Sequence, residues 1–132
     1  RKLTRRMAKA TVLLVDDDRS MLLLLQTLLE IEGFRALSLQ NDTEMDKILA
    51  EVRENKPDLL LVDVHLHHLS GLELVRRLRG DAVIGSMRVL MTSGMEMSSE
   101  CYQVGADGFI LKPFMPDDLV AKIYSLLPSA GG

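Results

Sequence analysis

From Thr11 onward, short β-branched or leucine-rich runs alternate with longer stretches of helical period. That alternation predicts repeated strand–helix units built around a parallel sheet. Five strands are expected, at residues 12–16, 35–39, 59–63, 88–92 and 108–111. The central ones are nearly all apolar, as strands covered on both faces must be. The first helix is expected over residues 19–32, stopping at Gly33, which is free to take the left-handed conformation that ends helices. A second fits residues 43–55, with Asn41 or Asp42 as its cap and Pro57 barring continuation. The remaining three are expected at 72–78, 98–103 and 116–127, where Pro116 suits a first helical turn.

Within the first helix a core stripe can be drawn through Met21, Leu25, Leu28 and Leu29, which leaves Leu23, Leu24 and Ile31 over. Those three are either wrapped by a neighbouring helix or the amino-terminal tail, or they form a docking patch for a partner helix. No stretch repeats and no Gly-, Ser- or Pro-rich linker divides the body. At 132 residues one domain is the simplest organisation. It is placed at residues 11–128, with a basic tail or linker at 1–10 and a short tail at 129–132.

Charge sharpens this picture. Arg1, Lys2, Arg5, Arg6 and Lys9 put five positive charges at the start of a chain whose net charge is −3, so the rest carries −8. A basic tail can touch nucleic acid or an anionic surface, but no aromatic residues interleave with it and no reading helix follows, so nucleic-acid binding is not expected. No apolar run approaches the ~20 residues that cross a bilayer, and no membrane association is expected. A single cysteine, Cys101, allows no internal disulfide. With no signal peptide at the start, a cytoplasmic location is expected. The sequon at Asn41-Asp42-Thr43 is read as chance.

Ligands of open parallel sheets bind beyond the carboxyl ends of the strands. Strand one ends in Asp16-Asp17-Asp18, strand three in Asp63, strand four in Thr92-Ser93, and strand five is followed by Lys112-Pro113. Acids converging from neighbouring strands repel one another unless a cation sits between them, and hard oxygen donors suit magnesium. A metal that needs only one or two carboxylates leaves another free to act as a nucleophile toward phosphorus. Lys112 then supplies positive charge and Thr92 a hydrogen bond. Singly, each of these residues reads as a helix cap or a surface charge; it is their joint placement at successive strand ends that points to chemistry.

The segments Val12-Leu-Leu-Val-Asp16-Asp17-Asp18, Pro57-Asp-Leu-Leu-Leu-Val-Asp63, Gly71-Leu-Glu-Leu, Met91-Thr92-Ser93 and Gly105-Ala-Asp-Gly-Phe109-Ile-Leu-Lys112-Pro113-Phe114 together resemble the response-regulator receiver family. The resemblance spans nearly the whole chain. It implies a flavodoxin-like three-layer α/β sandwich with a five-stranded parallel sheet in the order 2-1-3-4-5. It implies that Asp63 is the phosphoacceptor and that Asp16, Asp17, Asp63 and the main-chain carbonyl of His65 hold Mg2+. Thr92 and Lys112 would contact the phosphoryl group, and Thr92 with Phe109 would form the conformational switch. A cis peptide before Pro113, aiming Lys112 into the site, is also implied.

By the same resemblance the partners are a sensor histidine kinase or histidine phosphotransfer protein, meeting the first-helix side at Leu23, Leu24 and Ile31. The face formed by the fourth helix, fifth strand and fifth helix is the candidate homodimer surface. Met95 and Met97 lie near that switching face, where adaptable methionines can serve binding or fill the core. The protein would be a switch, not an enzyme, with at most self-phosphorylation from small donors and slow self-dephosphorylation.

Departures from the family pattern cluster around Asp63. Leu66-His67 replace the usual Met-Pro pair, His65 stands where Asn is frequent, and Gly94 stands two after Thr92; positions 65 and 94 flank the route of the hydrolytic water. The loop is expected to be more mobile for it. His65, His67 and His68 also raise a transition-metal reading, weakened because three near-adjacent loop residues do not converge readily and no cysteine supports them. A hydrolase working through an aspartyl-phosphate would want a second acid at position 65. A flavin carrier would want a glycine- and hydroxyl-rich loop in place of Asp16-Asp17-Asp18. A receiver-like module that is never phosphorylated would lack part of the acid, threonine and lysine set.

Overall fold

The computed structural model describes residues 9–39 and 44–127. Its elements are β1 (Thr11–Val15), α1 (Arg19–Ile31), β2 (Arg35–Ser38), α2 (Met45–Asn55), β3 (Leu59–Asp63), α3 (Gly71–Arg79), β4 (Arg88–Ser93), α4 (Ser98–Gln103), β5 (Gly108–Leu111) and α5 (Pro116–Leu126). The strands form one sheet in the order β2-β1-β3-β4-β5, every pair parallel. This is the flavodoxin-like arrangement that the family resemblance implies.

Because side chains alternate across a strand, the sheet divides its apolar residues between two cores. Leu13, Val15, Leu60, Val62, Val89 and Met91 face α2, α3 and α4, meeting Leu49, Val52, Leu74, Leu78 and Cys101. Val12, Leu14, Leu59, Leu61 and Leu90 face α1 and α5, meeting Leu22, Leu25, Leu29, Leu119 and Ile123. Burying a leucine contributes roughly 1.5–3 kcal/mol, so these two layers are what hold the helices to the sheet.

Three local expectations are corrected. Strand β1 stops at Val15, one residue before Asp16, and β4 runs on to Ser93. In α1 the fully buried positions are Leu22, Leu25 and Leu29, while Met21 and Leu28 are half-buried, so the stripe turns toward Leu22. Helix α2 starts at Met45 with Glu44 in the capping position and no side-chain cap bond. The expected caps Asn41 and Asp42, the sequon, most of the basic tail and the last five residues lie outside the described residues. Gly33 takes φ 99° after α1, as predicted, and Lys56 closes α2 in the left-handed region at φ 46°.

Candidate functional site

Asp63 is the last residue of β3 and pairs across the ladder with Thr92 of β4. The ladder continues past both strands: the Val64 N–H donates to the Thr92 carbonyl at 2.9 Å and the Lys112 N–H to the Ser93 carbonyl at 2.8 Å. Asp63, Thr92 and Lys112 are thus fixed to one sheet edge by main-chain bonds. The peptide joining Lys112 to Pro113 is cis, as the resemblance implied.

The Lys112 ammonium lies 2.6 Å from Asp63 Oδ2 and 3.3 Å from Asp16 Oδ2. Asp63 Oδ1 accepts from the His65 N–H at 2.8 Å, and Asp16 Oδ1 accepts from the Asp18 N–H at 2.9 Å. Burial chiefly pushes the Asp16 carboxyl above its usual value, helped by the charge of Asp63 and opposed by the Asp18 N–H and Lys112. Burial would lower the Lys112 ammonium, but its hydrogen bond to Asp63 and the charges of Asp16 and Asp63 outweigh this and hold it higher. Two carboxylates share one ammonium, an excess of negative charge that a hard cation would relieve.

Thr92 supplies the other half of the site. Thr92 is 2% exposed, and its Oγ1 has no hydrogen-bond partner among the described residues. A buried hydroxyl left unpaired costs about 1–3 kcal/mol, and this one stands across the ladder from Asp63 with a donor to give to a ligand oxygen. Next to it, a β-carbon on Gly94 would meet no atom within 4 Å. That side of the site is open.

Asp17 stands apart from the Asp16–Lys112–Asp63 group. Its Oδ2 accepts from the His67 N–H, and His67 Nδ1 is 3.5 Å from the same oxygen. Among the described residues no three His, Cys, Asp or Glu side chains gather into a ready-made metal cluster. The His67 and His68 rings sit edge to face at 6.3 Å, so the three-histidine transition-metal reading finds no convergence here.

Several residues emerge that the sequence did not single out. Asp18, grouped there with its acidic neighbours, caps α1 by accepting from the Met21 N–H at 3.1 Å. Ser70 caps α3, accepting from the N–H groups of Leu72 and Glu73. Arg79 donates to the carbonyls of Gly105, Gly85 and Met87 and pairs with Asp107 at 2.9 Å, tying the segments that lead into β4 and β5. Of the predicted partner surface, Leu23, Leu24, Ile31 and Met95 are exposed, whereas Met97 is half-buried against the core. Beside Lys112 opens a cavity of about 650 Å3, walled by Met21, Leu24, Leu25 and Leu28 of α1 and by Pro113, Phe114 and Pro116. Phe109 is buried in the α2–α3–α4 core.

Residues 12–124 match the family described as response regulator receiver domain. The chain belongs to the response-regulator receiver family. It is 32% identical over 128 residues to the phosphate regulon transcriptional regulatory protein PhoB of Pseudomonas aeruginosa, covering 95% of this chain and 55% of that protein. It is 36% identical over 118 residues to the DNA-binding response regulator MtrA of Mycolicibacterium paratuberculosis, covering 88% and 50%. The chain therefore spans about half the length of the curated relatives it matches. Among solved structures, the chemotaxis response regulator CheY4 of Vibrio cholerae superposes with TM-score 0.81 at 25% identity, over 91% of this chain and 100% of that one. A receiver domain from Methanospirillum hungatei gives 0.79 at 28%, covering 89% and 93%. Members of this receiver family are signalling switches that partner with histidine kinases and use Mg2+ at their phosphorylation site. Among the described residues no helix is long and apolar enough to cross a membrane.

Proposed function

We propose that this receiver accepts a phosphoryl group on Asp63 from the phosphohistidine of a sensor kinase or histidine phosphotransfer protein. The observation that carries the reading is the buried, unpartnered Thr92 hydroxyl directly across the ladder from a carboxylate already held by a lysine. An Asp63 carboxylate oxygen attacks phosphorus, the phosphorus–nitrogen bond breaks, and the donor imidazole leaves with the electron pair. Lys112 follows the charge onto the phosphoryl oxygens, and the Thr92 hydroxyl donates to one of them. Water later cleaves the acyl phosphate and releases inorganic phosphate, entering on the side that Gly94 leaves open.

The chemistry of the donor set fits magnesium: Asp16, Asp17, Asp63 and the His65 carbonyl offer hard oxygens, and Asp16 and Asp63 carry surplus negative charge against the one Lys112 ammonium, with Asp17 turned to His67. When bound, Mg2+ supplies positive charge to the phosphoryl oxygens. Thr92 and Phe109 form the switch in this reading, its output appearing on the α4–β5–α5 face, where Tyr102 and Leu111 are exposed, with Met95 close by, and where a homodimer would form. The donor docks on α1 at Leu23, Leu24 and Ile31, with the apolar cavity beside Lys112 receiving one of its side chains. The domain extends over residues 11–128, binds no nucleic acid itself, and works in the cytoplasm.

Intact mass after incubation with acetyl phosphate and Mg2+ tests the reading. A phosphoryl-sized gain that needs Mg2+ and is absent from Asp63→Asn is expected. No gain at any Mg2+ concentration would replace the reading with an unphosphorylated interaction module.

A further inference from the structure

Adjacent aspartates in the β1–α1 loop are held by different parts of the chain. Asp16 turns to Lys112, whereas Asp17 Oδ2 accepts from the main-chain N–H of His67 in the β3–α3 loop. That loop is pinned at its ends, where His65 N–H donates to Asp63 Oδ1 and Gly71 N–H donates to the Val64 carbonyl at 2.8 Å. Leu66 and Leu69 lean on the core, but at the loop's middle the hydrogen bond to Asp17 is the polar anchor. The His67 imidazole is 76% exposed, so water screens its contribution and the main-chain donor is the part that matters.

We infer that the His67 N–H is a clasp that holds Asp17 away from the Asp16–Asp63 pair and must let go when Mg2+ binds. Metal and loop compete for one carboxylate. The inference rests on the reading of Asp17 as a Mg2+ ligand. The hydrogen bond is charge-assisted, the stronger kind, and it fixes the direction of the carboxylate, so Asp17 cannot turn toward Asp16 and Asp63 until the loop releases it. Linkage makes the effect reciprocal: whatever strengthens the clasp weakens Mg2+ binding, and Mg2+ loosens the loop by the same factor. The identity of residue 67 sets the competition, because a proline there has no N–H to give.

A Mg2+ titration of this chain beside His67→Pro and His67→Ala, followed by amide resonances, tests the clasp. His67→Pro loses the donor and should bind Mg2+ about three- to tenfold more tightly, whereas His67→Ala keeps the N–H and should stay within about twofold of wild type. In the wild type, saturating Mg2+ should speed hydrogen exchange at the His67 amide, the reverse of the protection a ligand usually brings. Equal affinity in wild type and a folded His67→Pro, or an amide that Mg2+ protects, would overturn the inference while leaving the metal site in place. If His67→Pro does not fold, the wild-type amide decides alone. Mg2+ binding that is absent, or unaltered in Asp16→Asn, would instead remove the metal reading and the clasp together.

Discussion

Gly71 rests directly on the main chain of Asp63. A β-carbon at position 71 would lie 2.2 Å from the Asp63 carbonyl oxygen and 3.0 Å from its carbonyl carbon. The residue that opens α3 is therefore a spacer beneath Asp63.

Gly71→Ala pushes against backbone, which cannot swing aside as a flexible side chain can. Thermal denaturation should show a loss of about 3 kcal/mol, or roughly 10 °C in Tm. A change of less than about 2 °C would mean that β3 and α3 part without cost.

Thr92→Val removes the orphaned hydroxyl and should move stability and chemistry in opposite directions. Without phosphate the variant should be more stable by about 1 kcal/mol, since a buried unpaired polar group is gone. Its phosphorylation rate from acetyl phosphate should fall about tenfold. A variant that lost stability would show that the hydroxyl is already satisfied in solution.

Asp16 gives a pH signature. Its carboxyl is held above the ordinary 3.8, chiefly by burial, so the folded chain holds this proton more tightly than the unfolded one does. Stability from this group is fully present below 3.8 and is lost as pH rises through the higher folded value. In Mg2+-free buffer Asp16→Asn should therefore melt above wild type at neutral pH, with the gap closing as pH falls toward 3.8. A gap that stayed constant across that range would remove the burial penalty from the account.

Cys101 should be inert while the fold is intact. Burial and the nearby charges of Glu100 and Glu96 push its thiol up to about 11, so almost no thiolate exists at neutral pH. Labelling with a thiol reagent should appear only with unfolding, which makes it a convenient probe of global opening. Rapid labelling of the native chain would contradict this.

The strands are legible in the sequence because apolar runs such as Leu59-Leu-Leu-Val62 have room only inside a covered sheet. The site is legible as a set for a related reason: a parallel sheet brings all its strand ends to one edge, so Asp63, Thr92 and Lys112 can be joined by counting along the strands. What escapes is phase and individual contact. Leu22 to Leu25 are four identical residues, and nothing among them marks which one meets the sheet. Helix α2 lacks a side-chain cap bond, so its first turn carries no local signature. The splitting of Asp16 from Asp17 and Asp18 depends on which neighbours reach them, and His67 and Lys112 lie far along the chain.

The bond between Lys112 and Asp16 joins residues 96 apart in sequence. A chain emerging from a ribosome displays Asp16, Asp17 and Asp63 well before its lysine exists. The carboxylates are then without the ammonium that pairs with them in the folded chain. The proposed site is therefore complete only when the segment after the fifth strand has joined the end of the first, so its assembly waits on nearly the whole described chain.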